Sequence, residues 1–173
     1  MTDHGELYRL LPHRHPVLLV DRIVDGETIG AGPGSWLSAI KAVSGSEPCY
    51  AGLGPDAPRS AFAYPTALLL ESFIQSAAAL WARTSATLGR THEGTLVLGA
   101  ARQVAVQGTA HPGDTVQHRP RLERVSAGTA FATGTSVLAD RPDQTLLTIG
   151  SLVLALRPLA PARALPGLAK VSQ

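Results

Sequence analysis

The sequence predicts an α+β fold in which an antiparallel sheet wraps one long helix. From Pro65 to about Ser85, the residues Leu68, Leu69, Phe73, Ile74, Ala77, Leu80 and Trp81 are apolar on nearly all sides of a helix. A helix apolar all round is a buried one. Strand-like runs precede it, and further runs of about ten residues with short turns follow it, the pattern of an antiparallel meander. Such a helix and such strands bury their apolar faces against one another in a layered α+β architecture.

The elements follow in order. Leu7 to Leu11 suits one short helical turn, stopped by Pro12. Val17 to Val24 is rich in apolar and β-branched residues and reads as a strand. Asp25-Gly26 is a tight-turn signal, which predicts a hairpin into the next strand. Ser35 to Val43 alternates loosely through Trp36, Ser38, Ile40 and Ala42, as a half-buried strand does. Ser44 to Tyr64 is crowded with Gly, Pro, Ser and Asp and reads as a long loop, of the kind that carries function. Pro65 fits the first turn of the helix, where its missing N–H costs nothing, and Leu88-Gly89-Arg90 ends it. The later strands are Leu96–Val106, Thr115–Val125, Thr129–Ala139 and Gln144–Leu156, broken at 108–114, 126–128 and 140–143. Residues 1–157 form one expected domain, and 158–173 an Ala/Pro-rich tail of loose order.

Composition narrows the function. The chain has 173 residues, 45% of them apolar and 16% charged, which argues against disorder. A net charge of +2 with scattered arginines gives no basic stripe, so no nucleic-acid partner is expected. The pI near 9.0 leaves a weak positive face for an acidic carrier protein. One cysteine, Cys49, excludes an intramolecular disulfide. The N-terminus lacks a signal-peptide core, and the apolar run around Ala77 to Ala82 is too short to cross a bilayer. No membrane association and a cytoplasmic location are therefore expected. No His or Cys spacing suggests a metal site.

Local motifs sharpen this reading. Leu11-Pro12-His13-Arg14-His15-Pro16-Val17-Leu18-Leu19-Val20-Asp21-Arg22 resembles the opening of the 3-hydroxyacyl-ACP dehydratases (FabA/FabZ type), where an aromatic usually stands at His15. Glu47-Pro48 followed by Gly52 resembles the approach to their catalytic loop. Glu71-Ser72-Phe73-Ile74-Gln75 resembles the helix segment that carries their catalytic acid and, one turn later, a Gln. His111-Pro112-Gly113-Asp114 matches their Pro-Gly-Asp turn, a weaker sign. The resemblance implies a hotdog fold, a dimer with its sites at the subunit interface, and an acyl substrate carried on the phosphopantetheine of acyl carrier protein, with no other cofactor. Glu71 would be the acid and Gln75 its support. Gly52, Gly54, Pro65 and Thr66 would line the substrate.

The departures are as telling. The family loop reads Gly-His-Phe-Pro, and its His removes the substrate's α proton; here Leu53 holds that position and Gly54 replaces the Phe. The stretch from Leu53 to Glu71 is longer than the family's spacing, with the extra residues around Arg59 to Ala63. The family's Pro-Gly at the helix start appears as Pro65-Thr66. Thr66 keeps the backbone N–H that such a helix start offers a thioester oxygen, and adds a side chain.

Loss of a His base removes ~10²–10⁴-fold of catalysis. If buried on its apolar helix, Glu71 would have the raised pKa that suits a proton donor; alternatively it bonds loop N–H groups as a structural residue. Other candidates for a base read as structural or exposed: His92, His111 and His118 as surface residues, His13 as a structural hydrogen-bonding group, Tyr64 as packing and Cys49 as a buried inert thiol. The favoured expectation is a dehydratase-family subunit that contributes Glu71 to a composite site, in a heterodimer with a His-bearing hotdog partner. A non-catalytic acyl-binding partner, or a hotdog thioesterase using Glu71, are the alternatives.

Overall fold

The computed structural model describes residues 4–30, 32–89, 94–126 and 128–157. The tail from 158, and with it Arg90 and His92, lie outside the described residues. The chain runs α1 (His4–Leu10), β1 (Arg22–Glu27), β2 (Trp36–Ala42), 3₁₀ turns at Pro48–Tyr50 and Arg59–Phe62, α2 (Thr66–Thr87), β3 (Thr95–Val106), β4 (Thr115–Ser126), β5 (Thr129–Leu138) and β6 (Arg141–Arg157). The strands form one antiparallel six-stranded sheet in the order β1-β2-β4-β5-β6-β3.

The long helix is the predicted one. Pro65 sits just before its first turn, and the Pro65 carbonyl accepts from the N–H groups of Leu68 (2.9 Å) and Leu69 (3.0 Å). Phe73, Ala77, Leu80 and Trp81 are fully buried against the sheet. The buried hydroxyls of Ser72, Ser76 and Thr84 donate to carbonyls of the preceding turn, so they enter the core satisfied. Gly89, at φ +66°, follows the helix end in the left-handed conformation glycine favours.

The meander is confined to β4, β5 and β6. β3 instead pairs with β6 at the far edge. At that edge Leu98, Val104 and Val106 are exposed.

Two readings near β1 are corrected. Val17 to Asp21 is not strand, although its composition is strand-like. Its backbone bonds to a side chain of α2 instead: Leu19 N–H donates to Gln75 Oε1 (2.9 Å), and Gln75 Nε2 donates to the Val17 carbonyl (2.7 Å). Asp25-Gly26 is not a turn either; both residues pair inside β1, opposite Ser38 and Leu37. A Cβ on Gly26 would stand 2.9 Å from Leu37 Cβ, so the glycine serves a close approach of two strands. The chain reverses later, where Gly32 N–H donates to Ile29 O and Ser35 N–H to Gly32 O.

Smaller differences have local causes. β6 begins at Arg141 because Arg141 already pairs with Leu138, which shortens the expected turn at 140–143. On β2 the fully buried positions include Leu37 and Ala39, with Lys41 nearly so. Gly134, opposite Pro120 on β4, lies under the Phe73 ring; a Cβ there would clash with the Arg119 carbonyl and stand 3.0 Å from Phe73 Cζ. It thereby lets α2 settle onto the sheet.

Candidate active site

Glu71 and Gln75 lie one turn apart on α2, and Gln75 Nε2 donates to Glu71 Oε1 at 2.9 Å. Gln75 is fully buried, and its amide is held by the coil at 17–19 as described above. The coil also brings His13 to the acid: His13 Nε2 stands 3.5 Å from Glu71 Oε1. Arg14 fixes this coil by donating to the carbonyls of Tyr8, Leu11 and His13, and its guanidinium packs 4.7 Å from the centre of the Tyr8 ring. The condition of burial set for Glu71 on α2 is not met in full: its side chain is 38% exposed in the single chain.

The loop carrying Leu53 stands apart from these contacts. Leu53 is 36% exposed, and its N–H donates to the Tyr50 carbonyl within the loop. Gly54 O accepts from Ala57 N–H, and a Cβ on Gly52 or Gly54 would meet nothing within 4 Å. Thr66 is exposed at the start of α2 and Pro65 half-buried. The single chain thus brings Glu71 and Gln75 together with His13. The backbone hydrogen bonds of Leu53 N–H and of the Gly54 carbonyl stay within their loop.

A second polar cluster lies deeper, and the sequence reading missed it. Lys41 Nζ pairs with Glu47 Oε1 at 2.6 Å, both side chains about one-tenth exposed, and also donates to the Ala42 carbonyl. Lys41 Nζ lies 6.0 Å from the centre of the Tyr64 ring. Burial, then the charges of Cys49 and Glu47, push the Tyr50 phenol up to about 12. Burial and the charge of Glu47 raise Tyr64 as well. Both hydroxyls are buried without a hydrogen-bond partner among the described residues.

His118 is corrected from surface to core. It is fully buried on β4, where Val116, His118, Pro120 and Leu122 share the inward face. That alternation was the sequence signal for it. Its Nδ1 shares a 2.8 Å hydrogen bond with Ser136 Oγ, its cross-strand neighbour, and its ring meets Phe73 edge-on. Burial foremost, then the Lys41 charge, lowers its pKa to about 3. Cys49 is likewise corrected: it is exposed, at the surface of the 48–50 turn. Desolvation and the Glu47 charge raise its pKa, which keeps the thiol protonated. His111 is half-buried beside the Pro-Gly-Asp turn, where its N–H donates to Asp114 Oδ2.

Among the described residues, no helix is long and apolar enough to cross a membrane, and no group of His, Cys, Asp and Glu is arranged to hold a metal.

The antiparallel sheet wrapped on α2 makes the chain a hotdog protein. The dehydratase heterocomplex ApeI:P from Xenorhabdus doucetiae has the same fold, with a TM-score of 0.67 at 16% identity over 88% of this chain and 91% of that one. A hot-dog-like protein from Thermanaerovibrio acidaminovorans matches with a TM-score of 0.54 at 16% identity, over 73% and 84% of the respective chains. In sequence, the chain is a relative of the FabZ-type 3-hydroxyacyl-[acyl-carrier-protein] dehydratases. It is 43% identical over 84 residues to the Pasteurella multocida enzyme, covering 49% of each chain. It is 41% identical over 96 residues to that of Haemophilus ducreyi, covering 56% of this chain and 54% of that one. The chain spans about half the length of the curated relatives it matches. No protein-family model matches it.

Proposed function

We propose that this chain is a dehydratase-family subunit acting on 3-hydroxyacyl groups carried by acyl carrier protein, and that it supplies Glu71 to a composite site completed by a His-bearing hotdog partner. The observation that carries the reading is the clamped carboxylate: Gln75 and His13 both face Glu71 Oε1, in a chain whose sequence relatives are dehydratases. In the reaction, an imidazole of the partner takes the α proton from C2. The C2–H electrons form the C2–C3 double bond, the C3–O bond breaks, and protonated Glu71 gives its proton to the leaving hydroxyl, which departs as water. Thr66, with Pro65 before it, offers a helix-start N–H to the thioester oxygen. Gly52 and Gly54 leave room for the acyl-phosphopantetheine arm. We take residues 1–157 as the hotdog domain, with the exposed apolar edge of β3 available for a second chain. The similar fold named above comes from a dehydratase heterocomplex, which supports a partnered arrangement.

Leu53 favours a second reading, a non-catalytic partner subunit. Intact-mass analysis of a 3-hydroxyacyl carrier-protein substrate separates the two, with the chain assayed alone and with a His-bearing hotdog partner. Loss of one water only in the mixture, abolished by Glu71→Gln, is the expected result. Water loss by the chain alone overturns the composite site. Water loss in the mixture that survives Glu71→Gln removes Glu71 from the mechanism. Release of the free carrier thiol identifies thioester hydrolysis.

A further inference from the structure

We infer that His13 is the positioning residue for Glu71, the second donor that fixes which carboxylate oxygen faces the substrate. The inference rests on the reading of Glu71 as the acid. The contacts of Glu71 fall on one atom: Gln75 Nε2 at 2.9 Å and His13 Nε2 at 3.5 Å both address Oε1. Among the described residues, Oε2 bears no hydrogen bond, so it is the oxygen left to carry and deliver a proton. The two donors differ in rigidity. The Gln75 amide is locked by Leu19 N–H and the Val17 carbonyl. His13 is 26% exposed, and its ring is placed by the coil that Arg14 ties to Tyr8 and Leu11.

The ring nitrogens are not equivalent. Nδ1 is buried without a partner among the described residues. The Nε2–H tautomer turns its proton toward Glu71 and leaves Nδ1 as a bare acceptor, which avoids burying an unpaired N–H. A contact of 3.5 Å is long for a hydrogen bond, and contacts of this kind tighten when substrate closes a site. Without the imidazole, one amide alone holds the carboxylate, which then turns about its terminal torsion. A misplaced acid costs turnover rather than binding.

The test uses the full chain with its His-bearing partner. His13→Phe keeps a ring and removes the donor; His13→Gln places an amide nitrogen near the position of Nε2. Expected are an about tenfold fall in kcat with unchanged KM for His13→Phe, and recovery of most of it in His13→Gln. A wild-type kcat in His13→Phe overturns the inference, as does an equal loss in both variants. Turnover that survives Glu71→Gln sinks the reading of Glu71 itself, and the two failures are thereby distinct. A second measurement needs no turnover: diethylpyrocarbonate labelling of each histidine, resolved by peptide mass. His13 is expected to react severalfold faster in Glu71→Ala than in wild type, with His4 and His111 unchanged. An unchanged His13 rate shows that the pair does not exist in solution and overturns the inference.

Discussion

Stability should fall as pH drops from 7 to 5, and His118 should account for a definite part of the fall. The folded chain keeps His118 neutral down to about pH 3, because the ring is fully buried and Lys41 is near. The unfolded chain protonates it below about pH 6.5. Unfolding therefore takes up a proton throughout this window, and stability is lost as pH falls. At about 1.4 kcal/mol per pH unit over roughly 1.5 units, the loss at pH 5 is about 2 kcal/mol. For a domain of this size that is about 4–8 °C in Tm. The assay is urea or thermal unfolding at pH 7 and pH 5, wild type beside His118→Leu, at one protein concentration. The variant leaves Ser136 Oγ without its imidazole partner, which costs about 1–3 kcal/mol at either pH, but at pH 5 it also lacks the roughly 2 kcal/mol penalty that His118 imposes on the wild type. The quantity that tests the reasoning is the difference between the two pH dependences. Parallel profiles would refute it, since they would mean that His118 is as free to protonate in the fold as in the unfolded chain.

Three further outcomes are expected. Lys41→Met leaves Glu47 buried and unpaired and should cost about 3–5 kcal/mol by chemical denaturation, while Lys41→Met with Glu47→Leu should recover most of it. Gln75→Leu strips the buried Leu19 N–H and the Val17 carbonyl of their partner and should cost about 1–3 kcal/mol in unfolding free energy; the same variant should lower turnover of the partnered complex more than Tm loss explains. Leu53→His, at an exposed position, should change stability by less than about 0.5 kcal/mol. It should also confer water loss on the chain without a His-bearing partner, read by intact mass; a stable but inactive variant would argue that the loop no longer reaches Glu71.

The parts of the fold that were legible are those decided by local pattern. A continuous apolar stretch bounded by Pro65 and Gly89 identifies α2, and turn residues at even intervals separate β4, β5 and β6. What was not legible depends on distant partners. Val17 to Val20 has the composition of a strand, yet its hydrogen bonds go to Gln75, 56 residues away at Leu19. Nothing local distinguishes that coil from β1. Gly26 is a turn signal by type and a packing device by position, because only the facing Leu37 reveals why a side chain is excluded. In the site, Glu71 and Gln75 were marked by the resemblance of their helix segment, and the structure joins them by a hydrogen bond one turn apart. His13 was visible as a motif residue, but its nearness to Glu71 follows from the path of the coil. His118 was readable in principle, since it alternates in register with Val116 and Leu122.

The two polar clusters differ in their suitability for acid–base work. In the deep cluster His118 stays neutral until about pH 3 and Tyr50 until about 12. Tyr64 is raised too, and Lys41 and Glu47 neutralise each other at 2.6 Å. His118 and the two tyrosines therefore exchange protons poorly near neutrality, because one of their two forms is too scarce. Glu71 and His13, by contrast, are partly open to solvent. Among the described residues, one carboxylate oxygen is engaged and the other bears no hydrogen bond. The deep set is thus better suited to ordering the core than to proton transfer, which leaves Glu71 as the acid of the proposed reaction.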